Sequence, residues 1–431
     1  MKVSRHELAN GVNLTCVIGD RYKTNVMTAY FIRPLTRREA ACNALLPQVL
    51  CRGSESRPDL RSLSEALDDL YGATMCGGVR KIGELHAFGL SADFIGDGFS
   101  GGGQTEGVAE LLTEALFRPV TQNGVFRADY VESEREKLAD AILALKNDKT
   151  TYAIRRLESL SCGGEPYGVG ELGGEQELAG ITPKSLWAHY QNALAASRLE
   201  LFYCGCREDA AVTLREWLER RYEGFGGGFK GRVCAAQDAP FVAKAAGAPR
   251  EFNEHMDVTQ TKLAFLWRTG ADAGGPGFMP ACLASALYGG STTSKLFLNV
   301  RERLSLCYFA SSSNDRHKGV MKAVSGVEPD NAQQAKEEIL RQWDDVAAGR
   351  FTDGDVANAK ASLINAWRGA CDSPGGLERF WQGQAAAGLT ESAADWEAML
   401  NAVTADDAAR AAKGFTLDSV YMMKPDNEDA E

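Results

Sequence analysis

The chain has 431 residues, a length that predicts two or three domains. Hydrophobic residues make up 44% of it and charged residues 24%, the composition of a folded, soluble protein. The formal net charge is −11 and no segment is rich in Lys and Arg, which excludes a nucleic-acid binder because such proteins need a local excess of positive charge.

Hydrophobic spacing in the first half predicts strands where apolar residues alternate and helices where they recur every three or four residues. The predicted strands are Val12–Ile18, Asn25–Ile32, Ala73–Lys81, Glu84–Ala92 and Arg198–Cys204. The predicted helices are Glu39–Leu50, Leu60–Leu70, Glu106–Phe117, Tyr130–Lys146, Tyr152–Leu160, Pro183–Ala195 and Asp209–Tyr222. A run of strands packed by helices in this order is typical of an α+β domain with an antiparallel (mixed) sheet.

The second half repeats this order of elements. Its predicted strands are Val258–Arg268, Ser305–Ser312, Gly319–Val327 and Ser419–Met423. Its predicted helices are Met279–Leu287, Ser294–Arg303, Asn331–Ala348, Asp353–Ala370 and Glu378–Ala387. The repetition indicates two tandem homologous domains, residues 1–222 and 251–431, joined by a Gly- and Ala-rich linker at 223–250.

The sequence contains no export or membrane signal that we recognise. No apolar run approaches the roughly 18 residues of a membrane span, and the N-terminal MKVSRHE lacks the apolar core of a signal peptide. Eleven cysteines are scattered without a disulfide framework, as in a reducing compartment. We therefore expect a cytoplasmic protein that binds neither membrane nor nucleic acid.

Two features of the sequence look catalytic at first sight. Residues 168–173 fit the dinucleotide fingerprint G-x-G-x-x-G, but they follow a predicted helix rather than a strand, which favours a loop. The five histidines are His6, His86, His189, His255 and His317. They are far apart in sequence, so each is expected to be a surface or hydrogen-bonded residue rather than a metal ligand.

Residues 43–54, NALLPQVLCRGS, resemble a segment of the insulinase/pitrilysin family of zinc peptidases. In that family the segment carries the inverted zinc motif H-x-x-E-H and ends in a basic-Gly-Thr/Ser turn. When Gly53 is aligned with the family's glycine, the first histidine falls on Ala44. The catalytic glutamate then falls on Pro47 and the second histidine on Gln48.

These substitutions remove the groups that zinc chemistry requires. Zinc binds imidazole, thiolate or carboxylate, so Ala44 offers no donor and the Gln48 amide is a poor one. Pro47 cannot take a proton from zinc-bound water. Proline also disfavours a helix interior, so we expect the helix to be kinked or to begin later than in the enzymes. The chain alone should hold no metal or cofactor and have no peptidase activity.

The third zinc ligand of the family is a glutamate on a later helix. Residues 134–142, EREKLADAI, resemble that helix, and Glu134 matches the ligand position best. Glu136 would match with a shift of two residues. A single carboxylate cannot hold zinc, and the favoured interpretation of Glu134 is a solvated residue on a charged helix face.

Residues 293–308, TSKLFLNVRERLSLCY, are similar to the family's C-terminal-domain signature, Leu-Phe-x-x-Val-Arg-Glu followed by Leu-x-Tyr. Arg301 and Tyr308 match the arginine and tyrosine that contact substrate. The resemblance implies that Tyr308 donates to the tetrahedral oxyanion and that Arg301 holds substrate backbone or a carboxylate. The alternative is structural, with Arg301 paired to Glu302 or Glu328 and Tyr308 packed in the sheet.

The family's architecture offers one explanation for the loss of the zinc motif and the retention of Arg301 and Tyr308. Its members form a clamshell of two halves, in one chain or two subunits, with zinc in one half and the arginine and tyrosine supplied by the other. The resemblance therefore implies an inert half of a heterodimer, similar to the inactive subunit of mitochondrial-processing-peptidase-like pairs. It would act in trans on short peptides beside a zinc-bearing homologous subunit, and the isolated chain could pair with itself.

Two other functions remain open from the sequence. The chain could be a purely structural or chaperone-like subunit, like the respiratory-complex core proteins that resemble these peptidases. It could also be an enzyme with a relocated site, although five scattered histidines disfavour that interpretation. Activity of the isolated chain would distinguish the last case.

Overall fold

The structure is a computed structural model that describes residues 1–221, 245 and 247–426. Within these ranges the chain divides into two compact units. The first comprises residues 1–143, 169–221 and 370–388. The second comprises residues 144–168, 245, 247–369 and 389–426. Each unit has one principal sheet with helices against it, so the predicted α+β class is confirmed.

The strands, in chain order, are β1 (Lys2–Ala9), β2 (Val12–Ile18), β3 (Thr24–Pro34), β4 (Thr74–Ile82), β5 (Leu85–Ile95), β6 (Thr121–Gln122), β7 (Val125–Phe126), β8 (Arg198–Gly205), β9 (Arg250–Met256), β10 (Thr261–Arg268), β11 (Phe309–Asp315), β12 (Val320–Val327) and β13 (Thr416–Pro425). The first unit has a six-stranded sheet of order β1-β2-β8-β3-β5-β4, and the second a five-stranded sheet of order β11-β12-β10-β13-β9. Strands β6 and β7 form a separate two-stranded hairpin.

The two principal sheets share one pairing scheme, which supports the predicted duplication. In the first, the central β3 pairs antiparallel with β5 and with β8, and β8 pairs parallel with β2. In the second, the central β10 pairs antiparallel with β12 and with β13, and β13 pairs parallel with β9. The order β4-β5-β3-β8-β2 thus corresponds to β11-β12-β10-β13-β9, and β1 is an extra edge strand in the first sheet.

The helices are α1 (Arg37–Leu50), α2 (Leu60–Asp69), α3 (Asp97–Ser100), α4 (Gln104–Phe117), α5 (Ala128–Ala144), α6 (Lys149–Ser161), α7 (Glu175–Ala179), α8 (Pro183–Ala196), α9 (Ala210–Arg221), α10 (Phe278–Gly289), α11 (Ala332–Ala347), α12 (Asp353–Ala370), α13 (Pro374–Ala387), α14 (Ala393–Ala402) and α15 (Ala405–Gly414). A π-helix spans Leu296–Arg303, and short 3₁₀ turns lie at Pro166–Gly168 and Pro329–Asn331. Within the described residues, no helix is long and apolar enough to cross a bilayer.

Helices cover both faces of the first sheet. On one face α1, α4, α8 and α9 bury a large apolar core against strand residues such as Phe31 and Phe88. On the opposite face α13 packs on β3 and β8, with Leu377 against Phe202 and Ala386 against Ile32. The helix on this second face comes from the C-terminal half of the chain.

The second sheet is covered in the reciprocal way. On one face α6, from the N-terminal half, places Ala153 and Leu157 against Leu266 of β10. On the other face Trp267 makes an edge contact with Tyr288 of α10, at a centroid distance of 5.7 Å, in an aromatic group that also includes α11. Each half of the sequence therefore supplies one helix to the other half's sheet.

These units differ from the sequence halves in the two exchanged segments, residues 144–168 and 370–388. Residues 223–244 and 246 of the predicted linker lie outside the described residues, and β9 begins at Arg250. The predicted strand at 305–312 begins instead at Phe309, and Ser305 has a left-handed backbone with φ of 51°, which excludes it from a strand. Strands β1 and β9 and helices α14 and α15 were not predicted.

Candidate functional site

Helix α1 carries the positions that match the zinc motif. It begins at Arg37, two residues before the predicted Glu39, and continues through Pro47 to Leu50, so the proline does not delay its start. Pro47 lies in the last turn, where its own carbonyl still accepts from the N–H of Cys51. Only the bond from residue 47 back to the Asn43 carbonyl is lost, which a well-packed helix tolerates.

The side chains at the motif positions are used for packing. Ala44 is buried in the apolar core of the first unit. The Gln48 amide nitrogen donates to the carbonyl oxygen of Gly77 on the edge strand β4, at 3.2 Å. The two family histidine positions thus hold a core methyl group and an amide that is committed to the neighbouring strand.

Strand β4 approaches α1 very closely at Gly77. A Cβ atom at that position would lie 2.6 Å from the carbonyl carbon of Pro47 and 2.7 Å from its oxygen. Both are backbone atoms, which cannot move aside as the end of a side chain could. Glycine at position 77 therefore allows the edge strand to lie directly against the motif helix.

Glu134 on α5 is buried, with 6% of its surface exposed, so the prediction of a solvated carboxylate is wrong. Its Oε1 accepts from Nη1 of Arg52 and from Nζ of Lys137, both at 2.8 Å. Glu136, two residues further on, is exposed. Glu134 is thus buried with two cations at its carboxylate, whereas Glu136 faces solvent.

The Arg52-Gly53-Ser54 turn orients the Arg52 side chain towards Glu134. Gly53 has φ of 151°, and a Cβ there would lie 2.6 Å from the Arg57 carbonyl oxygen. The guanidinium of Arg52 stacks over the Tyr130 ring at 4.6 Å from its centroid and reaches Glu134 from there. A glycine is thus required for the turn that positions the cation.

The residues present do not fit the zinc ion that the family motif implies. Alanine, proline and a committed amide occupy three positions, and the remaining carboxylate faces Arg52 and Lys137. Burial, with Cys76 and Glu134 nearby, raises the pKa of the Cys51 thiol to about 12, so it is no thiolate donor at neutral pH. Across the described ranges, no three His, Cys, Asp or Glu side chains form a metal-binding group.

A buried polar network that we did not predict lies next to the motif positions. Asn43 Nδ2 donates to His86 Nδ1 at 3.0 Å, and His189 Nε2 donates to Asn43 Oδ1 at 2.7 Å. His86 Nε2 in turn donates to the Glu171 carbonyl oxygen at 3.0 Å. Burial lowers the pKa of both histidines to about 4, so they are neutral at pH 7. In the sequence, the feature that could have indicated this network is Asn43, a polar residue among the apolar residues of the predicted helix.

Glu171 belongs to residues 168–173, the segment that fits the dinucleotide fingerprint, and its contact with His86 helps to hold this segment against the first unit. These residues form a loop after a 3₁₀ turn, as expected, and Gly173 has φ of 76°. A Cβ on Gly173 would lie 2.4 Å from the Ala41 backbone nitrogen of α1. Glycine at position 173 therefore allows this loop to pack closely on the motif helix.

The second predicted site lies in the second unit, at the end of the π-helix. The Arg301 side chain is 41% exposed, lies over the Phe297 ring at 4.7 Å and approaches Glu302 at 3.6 Å. Tyr308 is 54% exposed and its hydroxyl donates to the Glu328 carboxylate. The structural alternative therefore holds for Arg301, which lies beside Glu302 as expected, but not for Tyr308, which is not packed within the sheet.

The backbone between these residues is irregular. π-Helical turns are uncommon and occur often at functional sites, and this one is followed by Ser305 in the left-handed region. Leu304 beside it is exposed, and so is Leu298 on the π-helix itself. An arginine, a tyrosine and two leucines are thus individually exposed along this irregular helix–strand connection.

Comparisons with known proteins agree with this picture. Residues 180–363 match the family model described as the peptidase M16 inactive domain. A Bacillus subtilis (strain 168) protein described as the probable inactive metalloprotease YmfF is 29% identical over 417 residues, covering 96% of each chain.

Solved structures show the same fold. A conserved protein from Enterococcus faecalis V583 is 27% identical, with a TM-score of 0.88 over 99% of each chain. A peptidase M16 inactive domain from Pseudomonas fluorescens is 15% identical, with a TM-score of 0.77 over 99% of each chain. Over nearly its whole length the chain is therefore similar to proteins described as inactive M16 peptidase homologues, and residues 180–363 match the model of that family's inactive domain.

Proposed function

We propose that this chain is a catalytically inert partner subunit of a zinc-bearing M16 homologue, and that the pair acts on short peptides. In this pair the chain contributes Arg301 and Tyr308 to the partner's active site. The observation that carries the proposal is the contrast between its two sites. The motif positions are filled by packing and ion pairs, whereas Arg301 and Tyr308 remain exposed.

The first half of the contrast concerns the motif helix. Glu134 already has two cationic neighbours, and Gln48 is bound to β4. Converting this arrangement into a zinc site would require new ligands and the displacement of a buried ion pair. We therefore infer that hydrolysis depends on a zinc site in another polypeptide.

The second half of the contrast concerns Tyr308. Its hydrogen bond to Glu328 raises the pKa of the phenol, so Tyr308 keeps its proton at neutral pH. A protonated phenol can exchange Glu328 for a developing oxyanion and donate the same hydrogen bond. The Arg301 guanidinium has five donors and its exposed pairing with Glu302 is weak, so it is free to bind a peptide carboxylate or carbonyl.

The experiment has two stages. Metal analysis of the purified chain should find no stoichiometric zinc, and peptide substrates should stay intact. The chain should copurify with a zinc-bearing M16 homologue from the same organism, and the pair should cleave peptides. One tightly bound zinc per isolated chain would overturn the proposal.

Substitution of Tyr308 tests the contribution in trans. Tyr308→Phe should lower kcat of the reconstituted pair by roughly 100-fold with little change in assembly, because one oxyanion donor is lost. Tyr71→Phe is the matched control, since Tyr71 is also exposed but lies in the first unit. Equal kinetics for the two variants would contradict the assigned role.

A second candidate is a purely structural subunit. The contacts of Tyr308 with Glu328 and of Arg301 with Phe297 favour it, because both side chains already have partners within the chain. Under this function Tyr308→Phe and Arg301→Ala would weaken assembly or folding and leave the turnover of each assembled pair unchanged. Measuring complex stability and kcat on the same samples separates the two functions.

A further inference from the structure

Helix α5 has a second face, away from Glu134, that lines a surface cavity. Glu132, Glu136, Ala139 and Leu143 are spaced by four, three and four residues, which places them on one side of a helix. The short helix α7 lies opposite this face. Helix α5 therefore presents a stripe that is acidic at its start and apolar further along.

The space between these elements is a surface cavity of about 240 Å³. Its lining includes the apolar side chains of Ala139, Leu143 and Leu178 and the carboxylates of Glu136 and Glu175. Leu143 is 49% exposed although it is a large apolar side chain. A concave site with an apolar floor of this size can take one bulky apolar side chain of a ligand.

The walls of the cavity are held in place without a ligand. Arg135 Nη2 donates hydrogen bonds to both carboxylate oxygens of Glu132, at 2.6 and 2.7 Å. Its Nη1 donates to the carbonyl oxygens of Ala179 and Ile181, at 3.3 and 3.4 Å. Arg135 thus ties α5 to the end of α7, and a preformed site loses less entropy on binding.

The charge at the rim indicates what the site would accept. Arg135 is neutralised by Glu132, whereas the side-chain carboxylates of Glu136 and Glu175 make no ion pair or hydrogen bond with any other described residue. Two unpaired carboxylates beside an apolar floor are complementary to an apolar side chain flanked by cations. The net charge of −11 adds a long-range attraction for basic segments.

We propose that the cavity between α5 and α7 is a docking site for a polypeptide segment that inserts an apolar side chain flanked by Lys or Arg. The apolar side chain fills the space over Ala139, Leu143 and Leu178, and the flanking cations pair with Glu136 and Glu175. The site makes no use of Arg301, Tyr308 or the motif positions, so it stands independently of the proposed function.

The test uses the full chain and the peptide acetyl-Gly-Lys-Leu-Arg-Gly-amide in saturation-transfer NMR. This method detects the weak, roughly millimolar binding that one side chain provides. The strongest transfer is expected at the leucine methyl groups. Replacing leucine by glycine in the peptide should abolish the signal, and equal signals from the two peptides would overturn the proposal.

Variants of the chain locate the binding. Glu136→Lys combined with Glu175→Lys should lower the affinity by about tenfold or more, because two attractive pairs become repulsive. Leu143→Asn should weaken binding as well, and the fold should tolerate it because Leu143 is exposed. Glu208→Lys combined with Glu219→Lys is the matched control, since both are exposed glutamates of the first unit away from the cavity. Unchanged affinity in the Glu136/Glu175 variant, or an equal loss in the control, would contradict the site.

Discussion

The guanidinium of Arg52 lies 2.8 Å from the carboxylate of Glu134, where side-chain exposures are 18% and 7%. This pair joins the turn after α1 to helix α5, so it fixes the two elements that hold the positions matching the zinc motif. Lys137 supplies a second cation to the same oxygen but is itself well exposed. Arg52 is therefore the main partner of a shielded charge.

Arg52→Met should destabilise the chain by about 3 kcal/mol, because it leaves Glu134 buried with only an exposed lysine nearby. Glu134→Met should cost a similar amount by leaving Arg52 uncompensated. The double variant should be less destabilised than the sum of the two, since both charges are gone. Urea unfolding of the four proteins measures the coupling.

The control is an ion pair with the same chemistry on the surface. Arg61 and Glu65 are 2.9 Å apart on α2, with side-chain exposures of 88% and 64%. Arg61→Met should change the free energy of unfolding by no more than about 0.5 kcal/mol. Similar losses at the two pairs would show that burial does not strengthen the Arg52 contact.

Acidification should destabilise the fold through its buried histidines. Burial lowers the pKa of His86, His189 and His317 from 6.5 to about 4. Between these pH values the unfolded chain binds protons that the folded chain does not, so stability is full above pH 6.5 and falls as the pH falls towards 4. Three such groups give a slope of at most about 4 kcal/mol per pH unit.

Urea unfolding at pH 7, 6 and 5 measures this slope. His189→Gln should reduce it by about one proton, because glutamine does not titrate. His255→Gln is the control, since His255 is exposed on β9. A slope that is the same in both variants would contradict the role of His189.

Gly77→Ala should destabilise the first unit by about 1–3 kcal/mol, because the added methyl group would lie within 2.8 Å of the Pro47 backbone and side chain. Gly98→Ala is a matched change, since nothing lies within 4 Å of a Cβ there and its φ is not positive. Thermal unfolding should show a lower Tm for the first variant only. Equal Tm values would mean that β4 can shift away from α1 at little cost.

Ser305→Gly should stabilise the chain by up to about 1 kcal/mol, because a left-handed φ of 51° strains any residue with a Cβ. Ser305→Ala keeps the Cβ and should have no such benefit. If the strain also orients Tyr308, the glycine variant of the reconstituted pair should turn over more slowly. Unfolding curves and kcat of both variants provide the check.

Hydrophobic periodicity was sufficient to predict the helices and strands that are buried, but it missed elements at the sheet edges and helices without large apolar residues. Strand Val12–Ile18 and helix Asp353–Ala370 have the predicted bounds. Strands β1 and β9 escaped prediction because charged and polar side chains dominate them at or near sheet edges. Alanine-rich helices such as α15 lack the large apolar residues that mark a helical face.

The site was predictable only where it depended on residue identity. The loss of zinc ligands at Ala44 follows directly from the chemistry of alanine. The burial of Glu134 does not, because its partner Arg52 is 82 residues away and no local pattern joins them. The contacts of Asn43 with His86 and His189 likewise depend on tertiary packing across separate elements.

The exchange of helices α6 and α13 between the two units has a consequence for any division of the polypeptide. A fragment cut near residue 222 would keep Ile32 and Phe202 but lose the helix that shelters them, and a fragment from residue 251 would lose the cover over Leu266. Separate expression should then yield aggregation-prone pieces, whereas coexpression should let each piece complete the other. A protease nick between the halves would leave a noncovalent complex rather than two free domains.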